Sequence, residues 1–235
     1  MRLIIYILFL WPSFTSLDPF LGWVIWNVGQ GQWITKVEFE QCIHIDFGGE
    51  HYSKPDLTNL CGNKRNILLI THADQDHISF YWMFRGLNHC YEKKSLALLQ
   101  KNKKDFSKNL KVCKQNPKTK ILQIPNNSKS TNRNDSGLIY SHPKLTVLGD
   151  PHFRTEKFWL EETNPLTKNL VLAHHGSRTS NSQELVKYFT QINHYFVSSR
   201  FTRYGHPHWK VIERINQTGH KIISTEDFGS IAIEE

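Results

Sequence analysis

The segment Thr71-His72-Ala73-Asp74-Gln75-Asp76-His77 constrains this chain more than any other, because it puts two imidazoles and two carboxylates within six residues, directly after the apolar run Asn66-Ile67-Leu68-Leu69-Ile70. A short apolar run of this kind reads as a buried strand, and a tight loop at its end can aim alternate side chains at one point. Imidazole and carboxylate are the donors that hold Zn²⁺ or Mn²⁺. A single His or Asp in a loop more often caps a turn or faces water. The H-x-D-x-D-H spacing after a strand instead makes His72, Asp74, Asp76 and His77 a candidate ligand cluster.

Such a cluster predicts further ligands from other strands, and the sequence offers them. Leu145-Thr146-Val147-Leu148 runs into Gly149-Asp150, and Asn169-Leu170-Val171-Leu172-Ala173 runs into His174-His175-Gly176-Ser177. Asp150 is the candidate bridge, since one carboxylate can join two cations and so clamp the attacking and leaving oxygens of a displacement. Ile43-His44-Ile45-Asp46 alternates into Gly48-Gly49. Asp46 is then either a carboxylate that orients a ligand imidazole or a turn residue. Ser177 and Ser180 stand beside the His doublet, where hydroxyls and backbone N–H groups can receive a phosphate; turn and N-cap duty is the alternative.

The remaining pattern is mixed. Strands are predicted over 23–26, 33–37 and 41–46, a helix over Ser79–Leu87 capped by Ser79 or Asp76, and a helix over Asn181–Thr190. A strand over His194–Ser199 follows, then a helix opened by Pro207 and running to Asn216. Segments Lys221–Ser224 and Ser230–Ile233 are expected to close the second sheet. No internal repeat or domain linker is visible, so residues 17–235 read as one domain.

The ordered set Asn27-Val28-Gly29-Gln30-Gly31-Gln32, Asp46-Phe47-Gly48, the 71–77 motif, Gly149-Asp150, His174-His175-Gly176-Ser177-Arg178-Thr179-Ser180 and Tyr204-Gly205-His206-Pro207 resembles the metallo-β-lactamase-fold domain of the ComEC/Rec2 competence proteins. The resemblance runs from about Trp23 to the C-terminus. It implies a four-layer αββα sandwich with one or two divalent metal ions at one edge, and hydrolysis of DNA. It implies one metal subsite of Asp76, His77, Asp150 and one of His174 or His175, and another of His72, Asp74 and Asp150. Asp76 would also steer the nucleophile, and His206 would donate a proton or stabilise developing charge. Asp74 replaces the second histidine of the wider superfamily's motif, as in the competence branch. Two departures stand out: the family's opening motif is usually D-V-G-Q-G-D, and here Asn27 and Gln32 replace both acids. Histidines for the first subsite are also short, with His89 and His142 as the remaining candidates.

Lys and Arg total 29 against 21 Asp and Glu, a net charge of +8. That excess favours polyanionic partners, since neutralising phosphates releases counterions. Lys101, Lys103, Lys104, Lys108, Lys111, Lys114, Lys118 and Lys120 cluster between the metal motif and Asp150, as a phosphate-gripping arm or a solvated surface. The polar stretch from Asn126 to Asn132 continues as a loop.

Met1-Arg2 gives a short positive start, and the nine residues Leu3–Trp11 are an unbroken apolar run before Pro12. That is about half of the roughly 20 residues a membrane span requires, so residues 1–16 read as a secretory signal. Export to a periplasmic or extracellular space would let Cys42, Cys61, Cys90 and Cys113 form two disulfides, in any of three pairings. The expected protein is therefore an exported metal-dependent nuclease or phosphodiesterase acting on DNA during uptake or degradation, with a separate membrane channel as a partner. A small-molecule ester, lactone or phosphodiester hydrolase of the same fold, and a catalytically weakened DNA-binding homologue, are the other two readings.

Overall fold

The structure is a computed structural model that describes residues 20–52, 54–102, 110–114, 120–124 and 136–235. The expected leader, Lys103, Lys104, Lys108, Lys118 and the polar loop 126–132 lie outside the described residues. Among those described, no helix is long and apolar enough to cross a membrane.

The first sheet begins as a meander of β1 (Gly22–Ile25), β2 (Ile34–Val37) and β3 (Gln41–Ile45). Helix α1 (Lys54–Cys61) then carries the chain to β4 (Arg65–Leu69), parallel to β3. Helix α2 (Gln75–Ile78) leads to β5 (His89–Tyr91), parallel to β4, and to helix α3 (Lys93–Asn102). The second sheet holds β6 (Lys120–Gln123), β7 (Leu138–Ser141) and β8 (Thr146–Val147), then α4 (Phe153–Glu156), β9 (Asn169–Val171), α5 (Gln183–Tyr188) and β10 (His194–Val197). Helices α6 (Phe201–Tyr204) and α7 (Trp209–Asn216), strand β11 (Ile222–Ser224), α8 (Thr225–Phe228) and β12 (Ile231–Glu234) complete the chain. The six-stranded orders are β12-β1-β2-β3-β4-β5 and β11-β10-β9-β8-β7-β6.

Strand β9 shows why the run is apolar from Leu170 onward, after Asn169, whose amide donates to the Lys144 carbonyl. Val171 packs in the core shared with Val147, Phe196 and the first sheet, while Leu170 and Leu172 join Leu185, Val186, Val211 and Ile215 of the outer helices. Successive residues of a strand face opposite ways, so a strand with helices on one side and a sheet on the other must be apolar at every position.

Two expectations fail. The Ser230–Ile233 segment does not close the second sheet: β12 pairs antiparallel with β1, Trp23 opposite Ile233. Helix α8 carries the chain across, and β12 covers an edge of β1 that would otherwise present unpaired backbone groups. The Ser79–Leu87 helix is also absent. Helix α2 starts inside the metal motif, and only a 3₁₀ turn, Tyr81–Phe84, follows. Phe80 and Phe84 pack their rings about Trp33, and Ser79 exchanges hydrogen bonds with the Gly49 backbone in place of capping a helix.

Disulfides join Cys42 to Cys61 and Cys90 to Cys113. The first ties β3 to the end of α1, and the second ties β5 to Cys113 within the lysine-rich stretch.

One buried acid has a pH consequence. Glu156 is 2% exposed, and burial pushes its carboxyl up to about 6 although the Ser182 N–H donates to it. Because the folded pKa exceeds the unfolded one of about 4.3, this group supports the fold below that value and the support is lost as pH rises through 6. Glu156→Gln is therefore expected to match the parent at pH 4 and to be more stable at pH 8 by up to about 2 kcal/mol. Denaturant melts at the two pH values check this; an equal gain at both would disprove it.

Candidate metal centre

Strands β4, β8 and β9 end at one edge of the sandwich, and the loops that follow interlock there. Gly149 has φ +65°, and a Cβ on it would lie 2.6 Å from the Thr71 Cβ, so the β8 loop can close on the 71–77 loop only with glycine. Gly176 has φ +77°, and a Cβ there would lie 2.6 Å from the Pro207 Cβ, which presses the His174-His175 turn against the His206-Pro207 loop. His174 and His175 both adopt φ 52°, a left-handed backbone costing of order 1–3 kcal/mol per residue. Asn181 holds that turn: its amide accepts from the Ala173 N–H and donates to the Ala173 carbonyl, each at 2.9 Å.

The imidazoles are wired alike. His77 Nδ1 lies 2.7 Å from Asp46 Oδ2, His175 Nδ1 lies 2.9 Å from the Ser198 carbonyl, His72 Nδ1 lies 3.0 Å from Thr71 Oγ1, and His174 Nδ1 lies 3.4 Å from Thr179 Oγ1. Each Nδ1 thus meets an oxygen that can accept its proton, which leaves the Nε2 lone pair for a ligand bond. That is the usual anchoring of a metal-bound histidine. All four Nε2 atoms turn toward Asp150: His77 at 3.3 Å from Oδ1, and His72, His174 and His175 each at 3.8 Å from Oδ2.

The donors fit a divalent cation. His72 Nε2, His77 Nε2 and Asp150 Oδ1 are buried without a hydrogen-bond partner, a costly state for polar atoms unless something else binds them. Asp76, His77, Asp150 and His175 offer ligand atoms that all lie within 4.8 Å of one another. Burial opposes the ionised form of Asp150, yet the charges of His77, His175 and His72 outweigh it and hold the carboxyl well below its usual range. Burial likewise disfavours charged His77, but Asp150 and Asp46 raise its pKa well above the ordinary imidazole value. For His175, Asp150 and the hydrogen bond to Asp76 overcome burial and raise it. Burial prevails at His72 and His174, which are lowered. The site thus concentrates negative charge on Asp150 and gathers positive charge around it, the competition between proton and cation expected of an N,O metal site.

Of the His doublet, His175 is the one in the four-residue group, while His174 sits at the rim with its side chain 33% exposed. Asp74 lies 3.6 Å from His72 Nε2 and is also partly exposed, so His72, Asp74 and Asp150 adjoin the first group. Asp76 Oδ2 lies 3.2 Å from His175 Nε2; burial opposes its ionised form, but that contact and the charge on His77 lower its pKa. His206 is half-buried with its ring 6.4 Å from that of His174; burial, then His175 and His174, lower its pKa, which leaves the ring neutral at pH 7. His89 bonds the Leu87 carbonyl, and the His142 ring lies against Trp23, so neither faces the centre.

The serines take the turn alternative. Ser180 is 1% exposed and donates to the Pro151 carbonyl at 2.7 Å, so its hydroxyl is spent on the fold and is not offered to a phosphate. Ser177 Oγ accepts from the Thr179 N–H and contacts the Thr179 hydroxyl, bracing the partner of His174.

Four residues take supporting roles that the motifs do not assign: Thr71, Gln30 and Gln32, which lie inside motifs, and Asn181, just beyond one. Asp46 Oδ2 accepts from Gln32 Nε2 at 2.6 Å and from the Thr71 hydroxyl at 2.8 Å, and its Oδ1 accepts from the Thr71 N–H at 2.7 Å. An amide at position 32 thus supplies a proton that a carboxylate would lack. Gln32→Glu would set two buried carboxylates against each other and is expected to destabilise the protein by about 3 kcal/mol at pH 8. The deficit should shrink as pH falls and the pair shares a proton. Thermal melts across pH decide it, and a variant as stable as the parent at pH 8 would refute the role given to Gln32.

A metallo-β-lactamase-like αββα sandwich carrying a candidate metal centre at its edge is the class this architecture defines. Among solved structures the chain is similar to the one titled "Crystal Structure of a New Diphosphatase from the PhnP Family", at 13% identity and a TM-score of 0.54, over 88% of this chain and 85% of that one. At that identity the likeness is one of fold. No protein-family model matches the sequence, and no curated protein does.

Proposed function

We propose that this protein is a metal-dependent hydrolase of phosphodiesters, with DNA as the substrate that its charge favours. The observation that carries the reading is Asp150: a buried carboxylate facing four imidazoles, two of whose buried nitrogens lack any hydrogen-bond partner. His72, Asp74, Asp76, His77, Asp150 and His175 would hold one or two divalent ions, Zn²⁺ or Mn²⁺ by donor type. When bound, such an ion supplies Lewis acidity, lowering the pKa of water toward roughly 7 and stabilising charge on a phosphoryl oxygen.

The chain's own groups do the rest. Asp46 and the Ser198 carbonyl fix the ring planes of His77 and His175. Asp76, ionised and partly exposed, accepts a proton-bearing nucleophile and orients it. His206, neutral at the rim, offers an N–H toward the oxygen that leaves. Exposed Lys101, Lys111, Lys114 and Lys120 and the net charge of +8 support a polyanionic substrate. The two disulfides support export, because such bonds persist in oxidising compartments. A competence-like role beside a separate membrane channel accords with the motif set.

Hydrolysis of labelled single- and double-stranded DNA by purified protein, with Mn²⁺ or Zn²⁺ and with chelator, tests the proposal. Metal-dependent cleavage with salt-sensitive binding is expected. Absence of cleavage of either substrate would reject the nuclease reading. The PhnP-family neighbour is titled a diphosphatase, which favours a second reading as a hydrolase of small phosphoryl compounds. A panel of chromogenic phosphodiesters and nucleoside diphosphates separates the two, since a small-substrate enzyme would turn over the panel and leave DNA intact. A weakened DNA-binding homologue would cleave nothing and still bind DNA.

A further inference from the structure

We infer that Gln30 is a positioning residue that fixes the His206 ring in the tautomer with its proton on Nε2, wiring this imidazole as a hydrogen-bond donor where its neighbours are wired as ligands. The inference rests on the proposed hydrolytic reading for its purpose, but not for its geometry. Gln30 Oε1 accepts from the Arg200 N–H at 3.2 Å. A backbone N–H can only donate, so the carboxamide oxygen must face Arg200 and the NH₂ must face the other way. There it meets His206 Nδ1 at 3.5 Å. An NH₂ group has no acceptor to give. The neutral ring therefore accepts through Nδ1 and carries its hydrogen on Nε2. This is the reverse of His77, His175 and His72, whose Nδ1 atoms face the Asp46 carboxylate, the Ser198 carbonyl and the Thr71 hydroxyl that already donates to Asp46.

Both ends of the relay are held. Glu50 accepts from the Gln30 N–H and from the Arg200 guanidinium, each at 3.1 Å, tying the Gln30 loop to the start of α6. Ser199 donates to the His206 carbonyl at 3.0 Å, and the His208 N–H donates to the Gly176 carbonyl, which fixes the loop carrying the ring against the His174-His175 turn. A neutral imidazole with Nε2–H can donate a hydrogen bond to an oxygen that gains charge as a bond to phosphorus breaks, stabilising that charge while the proton stays on the ring. The same ring with its proton on Nδ1 cannot, so the Gln30 amide decides which role His206 plays.

Nitrogen NMR of the full chain with ¹⁵N-labelled histidine, at a pH where His206 is neutral, reads the tautomer directly; signals lost in His206→Asn identify the ring. The parent is expected to show its proton on Nε2, with and without Zn²⁺. Gln30→Glu keeps the acceptor for Arg200 but turns an acceptor toward Nδ1, and is expected to move the proton there. On whichever phosphodiester is hydrolysed, it should lower kcat by about 10–100-fold with KM unchanged. Gln30→Ala, as a second variant, should give a mixture of tautomers. A parent protonated on Nδ1, or a pattern unchanged by Gln30→Glu, overturns the inference. A parent with the expected tautomer that cleaves no phosphodiester leaves the wiring standing and removes the proposed activity.

Discussion

Asp150→Ala is expected to empty the protein of divalent cation and to abolish hydrolysis, the largest single effect in the molecule. Loss of a partner one step removed from a metal costs about 10–100-fold in affinity or activity, and Asp46→Asn, which weakens the anchor of His77 and disturbs the bonds from Gln32 and Thr71, should fall in that window. Asp150 faces all four ligand-type imidazoles, so its removal should exceed the window. Stability gives an independent readout. A cation that binds only the folded chain stabilises it by about 2.7 kcal/mol at 100 times its Kd. The parent should therefore melt higher with added Zn²⁺ or Mn²⁺ and lower with chelator, while Asp150→Ala melts the same in both. Elemental analysis of purified parent and variant settles occupancy. Equal metal content in the two would remove Asp150 from the centre.

Reduction of the disulfides is expected to have the next largest effect. Cys42–Cys61 and Cys90–Cys113 close loops of sequence separation 19 and 23, and loop-closure entropy assigns each about 3 kcal/mol. Together that is comparable to the whole margin of an ordinary domain, about 5–15 kcal/mol. Each Cys-to-Ser pair should lower the Tm by about 6–12 °C for a chain of this size. The Cys90, Cys113 pair carries the added consequence of releasing the anchor at Cys113 within the lysine-rich stretch, so its loss should also weaken salt-sensitive binding to polyanions. A parent whose melting is indifferent to reductant would show that the bridges contribute nothing.

Much of the centre was legible because ligand chemistry is local in sequence. The 71–77 motif, Gly149-Asp150 and His174-His175 each announce themselves as polar clusters at the ends of apolar runs. What the sequence could not state is which nitrogen each ring presents, because that depends on oxygens from distant segments: Asp46 for His77, Ser198 for His175. Gln32 read as a lost acid, whereas in the structure its amide hydrogen is what Asp46 requires. Ser180 read as a phosphate contact because hydroxyls beside a metal motif resemble one, and only burial reveals that Pro151 occupies it. The misplaced β12 has a similar origin. An alternating apolar strand fits either sheet, and the choice was made by the open edge of β1, more than 200 residues earlier. The Ser79–Leu87 aromatics fit a helical period, but packing around Trp33 and the glycine at 86 kept them in a shorter turn.

That closing strand also governs the order in which the molecule can mature. Residues 231–234 complete the sheet that residues 22–25 begin, so the opening hairpin has no neighbour on its outer flank until a segment more than 200 residues later has been made. Folding of this sheet waits on a contact between segments about 200 residues apart. Removing residues 231–234 would leave a sticky flank on β1 that invites a second molecule to fill the gap.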